Sequence, residues 1–330
     1  MNTGTNRRAF LKSLGLVTLS ATAGASILSA CSGNKTESSA VSDSTSTSPI
    51  ETPKDLFFKI SLAEWSLHKS IFDGKLSNLD FPAKAKNDFG ISAVEYVNQF
   101  WKDKATDQSY LNDLKKRCDD NGVTSVLIMC DGEGGLGELD AKKRAQSVDN
   151  HKKWADAAKF LGCHSIRVNA YGEGTAEEVS NAATDGLRSL SEFGKSVGIN
   201  VIVENHGGYS SDGEWLSNVI KNTGMDNCGT LPDFGNFCIE RDGETCKKMY
   251  DRYKGTAEMM PYAKGVSAKV YDFDAQGNCI ETDYNQILKI VKDAGYTGHI
   301  GIEYEGSKLS EDDGIRAVVA LLKRVGATLS

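Results

Sequence analysis

From about Lys59 to Tyr304 the chain alternates short apolar runs with longer stretches in which apolar residues recur at helical spacing. The runs are KISLAEW (59–65), ISAVEYV (91–97), SVLIMC (125–130), SIRVNA (165–170), NVIVEN (200–205), CGTLPD (228–233), KGVSAKV (264–270) and HIGIEY (299–304), eight in all. Runs this short and rich in valine and isoleucine read as buried strands. The stretches between them, such as SYLNDLKKRCDDNG and DAKKRAQSVDNHKKWADAAKFLG, read as helices. Five helical stretches end on a glycine just before the next run: FG-IS, NG-VT, LG-CH, VG-IN and AG-YT. Glycine supplies the left-handed residue that closes a helix, so these mark helix-to-strand turns. Eight strands each followed by a helix predict an α/β fold, a single (β/α)8 TIM barrel. A doubly wound open sheet is the competitor. It would carry a glycine-rich phosphate loop after its first strand, and SLAEWSLHKS contains no glycine.

A barrel gathers its site at the C-terminal ends of its strands, so the polar residues there carry the chemistry. Glu95 ends the second run, Asp131 and Glu133 follow the third, and Arg167 and Asn169 lie in the fourth. Glu204 ends the fifth, Asp233 the sixth, Lys269 lies late in the seventh, and Glu303 with Glu305 ends the eighth. Any single acid here could simply cap the next helix. Three of them, Glu204, Asp233 and Glu303, close segments of one ring, and like charges at one mouth require a positive partner. One divalent cation meets that need, Mn²⁺ foremost, with Mg²⁺, Co²⁺ or Zn²⁺ as alternatives. His68 and His206 follow the first and fifth runs, whereas His151, His164 and His299 read as structural or solvated. Trp65, Trp101 and Trp215 are placed to stack on a sugar face or to wall the pocket.

The ends and the composition add a location. NRRAFLK (6–12) sets paired arginines before an apolar stretch too short to span a bilayer, and Leu28-Ser29-Ala30-Cys31 has the form of a lipobox. Residues 1–31 therefore read as a twin-arginine lipoprotein signal with Cys31 lipidated, and residues 32–54, mostly Ser, Thr, Asn, Asp and Pro, as a disordered linker. Residues 55–330 form the barrel. The expected location is the cell envelope, on the periplasmic or outer-membrane side, with membrane contact through the lipid anchor only. A net charge of −7 argues against a nucleic-acid partner. Of eight cysteines, seven lie beyond Cys31. Export permits disulfides; Cys238 could pair with Cys246 or Cys228, and no pairing is singled out. Oligomerisation is left open.

VIVENHGG, LPDFGNF, KGVSAKVYDFD and GIEYEG, at the last four runs, resemble the motifs of the xylose-isomerase-like sugar isomerase/epimerase superfamily. The resemblance covers the body from about Leu56 to the C-terminus. It implies one divalent metal held by a Glu after the fifth strand, an Asp after the sixth, a His at the seventh and a Glu after the eighth. Glu204, Asp233 and Glu303 match, and the two glutamates would also be the proton-transfer pair. Where relatives read His-x-Lys, this chain reads Ser267-Ala268-Lys269. Three readings follow: three protein ligands, a nitrogen supplied by His206, or a weakened metal site. That variant, DGEG after the third run and the export signal together resemble an exported lipoprotein subgroup, some of whose relatives cleave 3-keto-glycosides by elimination.

The implied activity is metal-dependent abstraction of a proton next to a carbonyl, by a sugar isomerase/epimerase or a β-eliminating lyase, on a non-phosphorylated saccharide. Lys269, His206, Glu204 and Glu303 would move protons. Trp65, His68, Glu95, Arg167, Asn169, Asn236 and Glu305 would hold the substrate. The alternative is a surface sugar-binding lipoprotein with a degenerate, non-catalytic site. An endonuclease-like phosphodiesterase, which needs more metal-binding histidines than the two placed at the mouth, is set aside.

Overall fold

The structure is a computed structural model that describes residues 55–243 and 245–330; the stretches read above as signal peptide and linker, with Cys31, lie outside the described residues. Eight parallel strands form the sheet: β1 (Lys59–Ala63), β2 (Ala93–Val97), β3 (Thr124–Met129), β4 (Ser165–Val168), β5 (Asn200–Glu204), β6 (Cys228–Leu231), and, further along, β9 (Val266–Val270) and β10 (His299–Tyr304). Two more strands, β7 (Cys238–Asp242) and β8 (Thr245–Met249), pair only with each other as an antiparallel hairpin. The sheet order is β6-β5-β4-β3-β2-β1-β10-β9. Parallel bridges from Thr230 to Ala263 and from Asp233 to Ser267 then join β6 to β9 and close the ring. Seven of the eight runs read from the sequence contain one of these strands, and the third overlaps β3, which starts one residue earlier.

The helices α1 (His68–Phe72) and α2 (Phe81–Phe89) lie between β1 and β2, and α3 (Gln108–Asn121), α4 (Ala141–Leu161) and α5 (Ala176–Val197) each precede the next strand, β3 to β5. Then α6 (Gly213–Thr223), α7 (Arg252–Met259), α8 (Tyr284–Asp293) and α9 (Glu311–Leu329) complete the outer layer. Gly90, Gly122, Gly162 and Gly198 close α2 to α5 in the left-handed conformation, as their positions foretold. Gly295 is left-handed too, but lies one residue beyond the cap of α8.

Strand residues point alternately outward and inward. Val201 and Val203, Ala268 and Val270, Ile300 and Ile302 face outward into the large core between sheet and helices. The inward set begins with Ala93, Leu127, Ile202 and Leu231, a small apolar plug that Val126 joins at the register shift between β2 and β3. In the same alternation Arg167, Glu204, Ser267, Lys269 and Glu303 face the lumen. The lumen is therefore apolar in one part and densely ionic in another, and the ionic part is the site.

The hairpin was not anticipated. CIERD and TCKKM carry too few apolar residues to signal strands, and apart from Cys238 their side chains are half-buried or exposed. A Cys238–Cys246 disulfide, one of the pairings left open above, ties the two strands together.

Candidate active site

Glu204, Asp233 and Glu303 offer carboxylate oxygens that all lie within 4.8 Å of one another, and all three side chains are buried. Glu204 is the last residue of β5 and Glu303 lies in β10, so the pleat alone aims them inward. Asp233 lies two residues beyond β6 and needs help from its loop. Its Oδ1 accepts from the backbone N–H of Gly235 and of Asn236, both at 2.8 Å. Asn205 locks the backbone below: its Nδ2 donates to the carbonyls of Asp233 (3.0 Å) and Asn236 (3.1 Å), and its Oδ1 accepts from the Asp233 N–H at 2.7 Å.

Few positive or donor groups balance these acids. Ser267 Oγ lies 2.7 Å from Asp233 and 3.2 Å from Glu303, but one hydroxyl proton cannot serve both carboxylates. Lys269 Nζ donates to Glu303 at 3.1 Å and lies 3.3 Å from Glu305. Arg167 donates through Nη1 to Asp131 at 2.8 Å; its Nε lies 2.8 Å from Glu204 Oε2 without hydrogen-bond alignment. Asn236 Nδ2 completes the set on Glu204 at 3.0 Å.

The electrostatics follow. Burial pushes the Glu204 and Asp233 carboxyls well above the usual range. Glu303 is equally buried, yet the Lys269 ammonium and the Arg167 guanidinium hold it below that range. Burial would neutralise Lys269, but Glu303, Asp233 and Glu305 outweigh it and keep the ammonium charged. Two cations, Arg167 and Lys269, are shared among these three carboxyls and also Asp131 and Glu305, so the cluster is short of positive charge. A divalent ion coordinated by all three would supply it, so the donor set fits the metal that the sequence motifs imply.

His206 follows β5 and lines the mouth. The Tyr171 hydroxyl donates to the His206 carbonyl at 2.8 Å and lies 2.6 Å from its Nδ1. The phenol has one proton to give, so Nδ1–H must donate in return, which leaves Nε2 as the unprotonated nitrogen. Burial, then the charges of Arg167 and Lys269, lower the His206 pKa and keep the ring neutral. Above the acids opens a cavity of about 540 Å³, lined among others by Trp65, Asp131, Arg167, Asn169, Glu303 and Glu305.

A model of the xylose isomerase-like TIM barrel family matches residues 83–325. The chain belongs to that family. Among solved structures with the same barrel is the IOLI protein with a zinc atom, at 15% identity and a TM-score of 0.62, covering 82% of this chain and 99% of its own. Another is a xylose isomerase-like barrel from Mycobacterium smegmatis in complex with magnesium, at 18% and 0.55, covering 72% and 85%. A third is 3-keto-D-glucoside 4-epimerase from E. coli, at 13% and 0.58, covering 82% and 100%. At these identities the likeness is one of fold. No curated protein matches the chain significantly by sequence.

Set within this family's barrel, most of the residues singled out from the sequence come together and a few do not. Glu204, Asp233, Glu303, Lys269, His206, Asn236, Arg167, Asn169, Glu305 and Trp65 converge at the mouth. Glu95 lies among the lumen residues of β2, with Ser61 donating to one oxygen at 2.5 Å and, among the described residues, no partner on the other. His68 stacks on Trp65 at 4.9 Å and does not line the cavity. Trp101, read as a pocket wall, is instead buried edge-on against Trp154 at 5.0 Å. His151, read as structural or solvated, lies buried against the main cavity wall, with Nδ1 2.7 Å from the Ser147 carbonyl. Tyr171 and Asn205 were not singled out. For Asn205 the signal was present: an amide set between a strand-end Glu and a His.

Proposed function

We propose that the chain is a metal-dependent carbohydrate enzyme that abstracts a proton next to a carbonyl of a non-phosphorylated saccharide. The observation that carries this reading is the buried Glu204–Asp233–Glu303 cluster beside charged Lys269 and neutral His206. A divalent ion on the three acids would polarise the carbonyl oxygen and stabilise negative charge as the neighbouring C–H proton leaves. Glu303, held ionised, and His206 Nε2 each present a lone pair to take that proton. Lys269 stays charged and serves as a donor to a substrate oxygen rather than as a base. Glu204 would share the ion, which would hold its carboxylate ionised. Returning the proton to the same carbon or its neighbour gives epimerisation or isomerisation, and expelling a β-substituent gives a lyase.

The main cavity wall disfavours a phosphate. Asp131, Glu133, Glu303 and Glu305 all line it, and Arg167 is already engaged by Asp131 and Glu204. Export of the chain as a Cys31-anchored lipoprotein agrees with a neutral substrate, since sugar phosphates are kept inside cells. Cys31→Ala should move the protein from the membrane to the soluble envelope fraction; unchanged fractionation removes the anchor from the account.

The catalytic test is incubation with free sugars and 3-keto-glycosides in D₂O, reading deuterium at carbon and the product formed. Glu204→Gln and Asp233→Asn should each cost at least about 100-fold in turnover, the upper end of what even outer partners of a metal site cost. The folded barrel should persist in both. Full activity in either variant, or in metal-stripped protein, defeats the proposal. Ser267 at the position of the family's histidine favours a second reading, a sugar-binding barrel without chemistry. A binder needs no stoichiometric metal, so metal content of the purified protein separates the two.

A further inference from the structure

Three cavities meet at His206. A second cavity, of about 660 Å³, shares Tyr171 and His206 with the main one. A smaller one of about 360 Å³ shares His206 and Glu305 with the first, and His206, Gly207 and Arg241 with the second. Sites that bury a small ligand run from about 300 to 1,000 Å³, so the first and second cavities each have room for a ligand of their own. The second contains none of the three clustered carboxylates.

Its walls have a different chemistry. Tyr171, 42% exposed, stands between the two cavities. An aromatic face in that position suits the C–H face of a sugar ring. Tyr209, its hydroxyl fixed on the Gly174 carbonyl at 2.9 Å, lines the same cavity. The opposite side is the hairpin, which presents Ile239, Glu240, Arg241 and Lys248. Among the described residues the Arg241 side chain makes no hydrogen bond and no ion pair. By contrast, Arg117, Arg167, Arg188 and Arg316 each pair with an aspartate. An exposed five-donor fork with no protein acceptor among the described residues, carried on a disulfide-tied arm beside a cavity, is free to meet oxygens that arrive with a ligand.

We propose that the second cavity is a subsite for the non-reacting ring of a disaccharide or glycoside, with Tyr171 as stacking platform and Arg241 as the donor that reads its hydroxyl oxygens. This rests on the reading of the mouth as a saccharide site and narrows the substrate to one longer than a single ring. The disulfide-tied hairpin, an insertion between β6 and α7, is then the element that sets substrate length.

Saturation-transfer NMR on the full barrel tests it, with glucose titrated against sophorose, laminaribiose, cellobiose, maltose and isomaltose. At least one disaccharide should bind about ten-fold or more tightly than glucose, a difference of about 1.4 kcal/mol. In Arg241→Ala that ratio should fall toward one. In the Cys238→Ser/Cys246→Ser double variant it should fall as well, because the arm loses its tie. A ratio near one for every disaccharide in the native protein, or an unchanged ratio in Arg241→Ala with the fold intact by circular dichroism, overturns the subsite. Binding is read without turnover. Absent deuterium exchange therefore refutes the catalytic reading alone, whereas no transfer to any sugar refutes the saccharide site and the subsite together.

Discussion

Glu95 shows what a single carboxyl contributes when it is enclosed. Gly301 makes room for it: a Cβ there would meet the Glu95 carboxylate at 2.5 Å. Burial pushes its pKa from 4.5 up to about 8, with Ser61 opposing and the Glu303 and Glu204 charges adding to the rise. An acid raised on folding stabilises the native state fully below its unfolded value of 4.5, and that contribution is lost as pH climbs to about 8. Glu95→Gln, which keeps the shape and removes the charge, should therefore melt above the native protein at pH beyond 8. Its advantage should vanish below pH 4.5; parallel melting curves across that range would show that Glu95 does not titrate in the fold. At this scale the sequence was informative where a side chain's direction follows from strand register. Glu204, Lys269 and Glu303 sit on the inward parity of their strands, and that parity is visible in VIVEN, SAKV and GIEY. It fails for Glu95 because parity gives the face and not the depth: the same inward direction serves a cavity wall and a sealed lumen. It fails for His68 and Trp101 because both follow strand ends, where no repeat fixes direction.

Among the elements, legibility tracks how much apolar surface each one buries. The eight barrel strands bury both faces of their backbone, so they appear as near-continuous apolar runs. Their ends were readable too, because four of the preceding helices finish on left-handed glycines. The β7–β8 hairpin buries almost nothing and is held by its own ladder and the disulfide, so its sequence reads as a charged loop. Closing an eight-residue separation with a disulfide is worth about 2–3 kcal/mol on a chain-entropy account. The loop after β6 is a third case. Asp233 reaches the cluster only because Asn205 ties the Asp233 and Asn236 backbones and Asp233 caps its own turn. The Asn205 bonds join residues 28 to 31 apart in sequence, and periodicity carries no trace of them.

For the whole molecule the concentrated charge at one end of the lumen has a thermodynamic consequence. A folded barrel presents three carboxylates within 4.8 Å, while the unfolded chain scatters them over about a hundred residues between 204 and 303. An ion that needs all three therefore binds the native state and stabilises it by mass action, about 2.7 kcal/mol at a hundred times its Kd. For a domain of this size each kcal/mol moves Tm by about 2–4 °C, so saturating Mn²⁺ should raise Tm by about 5–10 °C. A net charge of −7 complicates the measurement, because divalent ions also gather on an acidic surface and shift Tm without a site. Asp233→Asn separates the two effects. It removes one charge of the cluster from a fully buried position and leaves the exposed acids as they are. The native rise should disappear in that variant while any surface contribution remains. If native protein and Asp233→Asn rise together, the ion is bound by the surface, and the three acids hold Lys269 and Ser267 rather than a metal.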